Sequence, residues 1–148
     1  MATGMVNRQL EAPCGLHCGI CYLYRAQKEK ALRSAIAKKF NLPEHKTSCP
    51  GCRAVEGFCP VIGEQCATYA CTKKQGVTFC SECVSFPCRK LMPCADGASD
   101  LPQNIKVFSL ALRKSMGGEE WRKSIMEVYK LYFTGEMIIG QGPERKDS

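Results

Sequence analysis

Cysteine most constrains what this chain can fold into. Twelve of its 148 residues are cysteine, near the density at which thiols rather than an apolar core organise a small fold. The opening stretch MATGMVNRQLEAPCG has no apolar run of signal-peptide length. No segment approaches the roughly 20 apolar residues of a membrane span. The expectation is a cytoplasmic protein without a membrane segment. Disulfides would not persist in that reducing compartment, so clustered thiols point to metal.

Three Cys-x-x-Cys turns carry the signal: CGIC at Cys18 and Cys21, CPGC at Cys49 and Cys52, and CSEC at Cys80 and Cys83. Such a turn brings two sulfurs onto one ion while nearby backbone N–H groups offset their charge. Eleven thiols form the candidate metal-ligand set: Cys14, Cys18, Cys21, Cys49, Cys52, Cys59, Cys66, Cys71, Cys80, Cys83 and Cys88. One allocation joins Cys49 and Cys52 to Cys80 and Cys83. Cys14, Cys18 and Cys21 then take a fourth ligand from Cys59, Cys66, Cys71 or Cys88. The twelve cysteines also suffice for three four-thiolate sites. His17 and His45 are possible substitutes for a thiolate, and Cys94, beside a linker, reads as a free thiol.

Zinc and iron–sulfur clusters draw on the same thiolates. The Cys-x-x-Cys turns favour two or more structural zinc ions. The Cys-Pro pairs at Cys49-Pro50 and Cys59-Pro60 and the triad at Cys14, Cys18 and Cys21 favour a [4Fe–4S] cluster. The formal charge of +7 would ordinarily suggest a nucleic-acid partner. Each four-thiolate zinc site, however, adds −2 once its thiols ionise. Two sites bring the balance to about +3, which disfavours nucleic acid and leaves a protein partner as the open class.

CGLHCGIC has the Cys-x-x-x-Cys-x-x-Cys spacing with which radical S-adenosylmethionine enzymes hold an open-cornered cluster. Gly117-Gly118-Glu119 resembles their Gly-Gly-Glu element. That chemistry is built on repeated βα units over about 200 residues or more, and this chain shows no such repetition. An enzyme with an open metal corner at the triad therefore stands as an alternative, behind an iron–sulfur protein for electron transfer or redox sensing. No Ser/His/Asp arrangement, phosphate-cradling loop or carboxylate pair points to catalysis.

The fold class expected is mostly α: a small irregular metal-bound cysteine knot packed against amphipathic helices. One domain spans 1–148. A helix is predicted from Ile20 to Phe40, with Tyr24, Leu32, Ile36 and Phe40 in an i, i+4 register and Asn41 near its C-cap. It closes a segment, 14–40, that opens with the triad. The cysteine-rich region covers 47–94, with short helices at Glu64–Lys74 and around Cys83–Leu91. A helix pair follows over 100–134. Ile105, Phe108, Leu112 and Met116 line one helix, Gly117-Gly118 stops it, and Trp121, Ile125, Val128 and Tyr132 line the next. The tail, 140–148, is expected to fray.

The motif order CGLHCGICYLY, CPGCR, CATYACTKKQGVTFCSECVSFPCRKL and LRKSMGGEEW resembles the cysteine-rich family catalogued as domain of unknown function 3795, over residues 12–125. By that resemblance Cys14, Cys18, Cys21, Cys49, Cys52, Cys71, Cys80, Cys83 and Cys88 correspond to the family's recurring cysteines. Cys59 and Cys66 fall where the family's spacing varies, and Cys94 lies outside the pattern. The resemblance implies that the thiols act as a set and brings no activity with it.

Overall fold

A computed structural model describes residues 8–60 and 62–146. Among them the regular structure is five α-helices, short 3-10 turns and one two-stranded hairpin, so the chain is mostly α. Contacts divide it into two compact units, Met1–Pro13 with His17–Phe79, and Cys14–Leu16 with Cys80–Ser148. The division falls inside the cysteine-rich region, between Phe79 and Cys80, and groups Cys14–Leu16 with the second unit.

In the first unit, helix α1 is a single turn, Tyr22–Arg25, and α2 runs Lys30–Phe40. The predicted continuous helix breaks between them. The reason lies in the register: the position one turn beyond Tyr24 is Lys28, which is exposed, so no apolar contact holds the helix there. Arg33 closes the gap by donating from Nη1 to the carbonyls of Ala26 (2.8 Å) and Gln27 (3.1 Å). Asn41 ends α2 in the left-handed conformation, as its sequence position suggested. Ile36 is buried, whereas Phe40 at the end of the stripe is 39% exposed. Helix α3, Ala67–Gln75, begins three residues later than predicted. Among the described residues the buried positions of this unit other than Ile36 are mostly small, polar or sulfur-bearing: Glu11, Ala12, Pro13, Cys18, Ala26, Thr47, Cys49, Gly51, Gly57 and Thr72.

The second unit has an apolar core. Helices α4, Lys106–Met116, and α5, Gly118–Thr134, pack together around Leu110, Trp121, Ile125 and Tyr129. Gly117, with φ +89°, makes the sharp stop between them. The buried face of α4 differs from the predicted one: Ile105, Ser109 and Leu110 face inward and Phe108 is 57% exposed. Ser109 holds this inward place because its hydroxyl accepts from Trp121 Nε1 (3.0 Å) and donates to the Gly15 carbonyl (2.6 Å). On α5, Tyr129 rather than Val128 or Tyr132 completes the buried stripe. Tyr132 instead donates its hydroxyl toward the carbonyls of Ala98 (2.9 Å) and Leu101 (3.0 Å).

The chain ends in a hairpin whose second strand falls in the segment 140–148. Strand β1, Glu136–Ile138, pairs antiparallel with β2, Gly142–Glu144. Arg145 then forms an ion pair with Glu127 of α5 at 2.7 Å. Only Asp147 and Ser148 of that predicted segment lie outside the described residues.

Candidate functional site

Two backbone bonds lace the thiol-bearing turns of the first unit into its core. Cys18 N–H donates to the Leu10 carbonyl (2.7 Å), and Cys49 N–H to the Leu23 carbonyl (3.0 Å). A bridge between Glu11 and His17 closes the loop from which Cys18 emerges. Cys21 precedes the first turn of α1. The turns CGIC and CPGC thereby face one another: Cys52 N–H donates to Cys18 Sγ at 3.3 Å. Gly51 N–H donates to Cys49 Sγ at 3.5 Å, the type of bond that supports an anionic sulfur.

Side-chain electrostatics join five thiols here. A hydrogen bond from the Cys52 thiol lowers the Cys18 pKa to about 7, against the opposing effect of burial, and the Arg53 guanidinium adds to the lowering. Cys49 moves the other way: its hydrogen bond with Cys59 keeps its proton in place, and burial and the nearby Cys59 and Cys18 add to the rise. Burial raises Cys21 too, outweighing the support of the Leu23 and Tyr24 amides, with a smaller push in the same direction from Cys18 and Cys59. The sulfurs meet in pairs. Among the described residues no three Cys, His, Asp or Glu side chains form a ready metal-ligand group.

Arg53, directly after the CPGC turn, is a site residue that cysteine spacing alone did not single out. Its Nε donates to the Glu11 carbonyl and its Nη2 to the Thr78 carbonyl, both at 2.7 Å. The guanidinium also lies 5.0 Å from the centre of the Phe79 ring. It is fixed beside Cys18, where a positive charge favours the thiolate. A basic residue abutting a Cys-x-x-Cys turn was the available signal.

The remaining predicted ligands are placed as follows. Cys66 caps the start of α3, its N–H donating to the Gly57 carbonyl at 2.8 Å, and Cys71 lies on the second turn of that helix. His17 turns Nδ1 to the Gly19 N–H at 3.0 Å, and His45 is exposed on the 3-10 turn Glu44–Lys46. Cys14, Cys80, Cys83, Cys88 and Cys94 belong to the second unit. Within the first unit, Cys52 pairs with Cys18 and Cys49 with Cys59.

The family described as a protein of unknown function (DUF3795) matches residues 10–93. The chain belongs to the DUF3795 family. The match takes in eleven of the twelve cysteines and stops at Pro93, leaving out Cys94 and the LRKSMGGEEW stretch that the resemblance had included. The part of this DUF3795 protein that carries family identity is thus the part that carries the thiols. No curated protein and no solved structure matches the chain. Among the described residues no helix is long and apolar enough to cross a membrane.

A second feature of the surface is a cleft of about 430 Å³ among α4, α5 and the hairpin, lined by Ile105, Phe108, Val128, Leu131 and Pro143. Of the three polar residues that line it, Asn104, Tyr132 and Gln141, two are committed elsewhere. Asn104 bonds both the N–H and the carbonyl of Cys94, and Tyr132 bonds the carbonyls already named. The cleft offers shape with little chemistry.

Proposed function

We propose that this DUF3795 member is a metal-binding protein whose first unit holds structural zinc through Cys18, Cys21, Cys49 and Cys52, with Cys59 alongside. The observation that carries this reading is the meeting of two Cys-x-x-Cys turns, with backbone amides directed at Cys18 and Cys49 sulfurs. The donor set fits a soft-tolerant divalent ion: four thiols whose protons metal would displace, beside a fixed arginine that offsets the resulting negative charge. A four-thiolate site has no position for substrate. The protein accordingly serves as a binding or adaptor module in the cytoplasm, with another protein as its partner.

A second reading, an iron–sulfur protein for electron transfer or redox sensing, is favoured by one specific feature. The fifth thiol, Cys59, is bound to Cys49, and each is followed by proline as in ferredoxin runs. Anaerobic purification with elemental and sulfide analysis separates the two. A colourless protein containing zinc is expected. A brown protein with iron and acid-labile sulfide would overturn the zinc reading in favour of the cluster.

A further inference from the structure

We infer that the first unit carries two dithiol pairs, Cys18 with Cys52 and Cys49 with Cys59, which a small-molecule disulfide oxidises to disulfide bonds. The pairs join separate turns and lie across the Cys-x-x-Cys motifs, not within them. The pairing stands apart from the metal reading; only the release of metal that accompanies oxidation rests on it.

Local hydrogen bonds set the partners. Cys18 and Cys52 bond thiol to thiol, and Cys52 N–H donates to Cys18 Sγ at 3.3 Å, across 34 residues of sequence. The second bond fixes the Cys18 sulfur on the Cys52 backbone. Cys49 and Cys59 likewise bond thiol to thiol. Gly57 N–H donates to the Cys52 carbonyl at 2.9 Å and Cys59 N–H to the Gly57 carbonyl at 3.0 Å, which ties the end of the CPGC turn to the backbone carrying Cys59. The other member of CGIC is turned elsewhere: the Leu23 and Tyr24 amides hold the Cys21 sulfur at the start of α1. Within CPGC each sulfur has its thiol partner outside the turn, Cys18 for Cys52 and Cys59 for Cys49.

Each pair sets one buried cysteine, Cys18 or Cys49, against one that is partly exposed, Cys52 or Cys59. The outer member is the point of entry. The Cys52 sulfur attacks one sulfur of the small disulfide, forming a mixed disulfide and expelling a thiolate, which takes up the Cys52 proton. Cys18 then attacks the Cys52 sulfur, the protein S–S bond closes, and the second small thiolate leaves with the Cys18 proton. The protein pair loses two electrons, and the small disulfide gains them as two thiols. Cys59 and Cys49 repeat the sequence. Only a short closure separates a hydrogen-bonded thiol pair from bonding distance. In the reducing compartment proposed above such bonds form transiently. A disulfide between Cys18 and Cys52 withdraws two of the four thiols proposed for zinc, so oxidation frees the metal.

The test uses the full-length chain as purified. It is incubated in glutathione buffers of rising disulfide content, quenched with acid and alkylated, and its linked peptides are mapped by mass spectrometry with fragmentation inside each turn. Links Cys18–Cys52 and Cys49–Cys59 are expected to form first. Cys52→Ser should lose the first link and keep the second, and the map of the parent chain decides the matter if that variant fails to fold. First links inside a turn, Cys18–Cys21 or Cys49–Cys52, overturn the inference, as does a chain whose thiols stay reduced or carry only glutathione. Zinc measured in the same samples keeps the two readings apart. Its release in step with the Cys18–Cys52 link is expected. The expected links in a chain purified without zinc uphold the pairing and overturn the zinc reading. Zinc retained in a chain that forms neither link does the reverse.

Discussion

The two units of this protein bury different things. The second is organised by Trp121, Leu110, Ile125 and Leu91, side chains large enough that each contributes on the order of 2 kcal/mol or more by leaving water. Among its described residues the first buries one large aliphatic side chain, Ile36, and otherwise alanine, proline, glycine, threonine, Glu11 and cysteine. A free cysteine packs as a small hydrophobe, so the apolar return per residue is lower. A core built this way needs another source of stability, and its thiols are the available one.

Removing metal should separate the units most strongly. Structural zinc in small finger peptides contributes about 10–16 kcal/mol of apparent binding free energy. Chelation is therefore expected to abolish most amide-exchange protection in α2 and the CPGC turn while α4 and α5 remain protected. Cys18→Ser and Cys52→Ser should do the same without chelator. Equal loss of protection in α4 and α5 would show that the second unit depends on metal as well, and the contrast between the cores would fail.

The converse change addresses the other core. Trp121 is almost fully buried, bonds Ser109 and lies under the Arg113 guanidinium, 4.9 Å from its ring centre. Trp121→Ala should cost about 3–5 kcal/mol, from lost transfer energy and the cavity left behind, as read by denaturant unfolding of the α4 and α5 helices. Zinc retained by the first unit in that variant would sharpen the comparison. Simultaneous loss of zinc and helix would show one cooperative core.

A smaller effect is expected at Gly15. A methyl group there meets Leu110 Cγ at 2.8 Å in a positive-φ conformation. Gly15→Ala should destabilise the second unit by about 1–3 kcal/mol through strain and overpacking. Thermal unfolding would register this, and an unchanged midpoint would mean that the loop is not held on α4.

Much of this contrast was legible in the sequence, and the reasons for the rest are specific. The Cys-x-x-Cys turns, the Asn41 cap and the Gly117 stop depend on local geometry, and local sequence specified them. The break at Lys28 was visible as a missing apolar position but was outweighed by the regular spacing on either side. The inward face of α4 was misjudged because a serine took a core place, and its justification, Trp121 and the Gly15 carbonyl, lies 12 and 94 residues away. The hairpin leaves no alternating pattern because each strand has three residues and β2 contains glycine and proline. Thiol allocation was the least legible of all, since identical ligands at variable spacing carry no record of which sulfurs meet. Cys59 joins Cys49 through tertiary contacts alone.

The smallest expected effect is a pH dependence in the stability that the first unit retains without metal. Cys18 is lowered to about 7 from the ordinary thiol value of 9.0, chiefly by the hydrogen bond with Cys52. Between those values the unfolded chain holds a proton at Cys18 that the folded chain has released. Stability from this group is full above 9.0 and is lost as pH falls toward 7. Cys21 and Cys49 are raised, chiefly by burial and by the Cys59 hydrogen bond respectively. They hold their protons where the unfolded chain loses them, so their contributions are full below 9.0 and decline above it. The opposed slopes place a maximum near pH 9, to be read by denaturant titration of the reduced, chelated chain across the thiol range. Cys18→Ser should remove the rise on the acidic side and leave the decline on the alkaline side. A monotonic profile in the parent chain would mean that the metal-free first unit does not hold Cys18 against Cys52, and that its thiol core forms only with the metal.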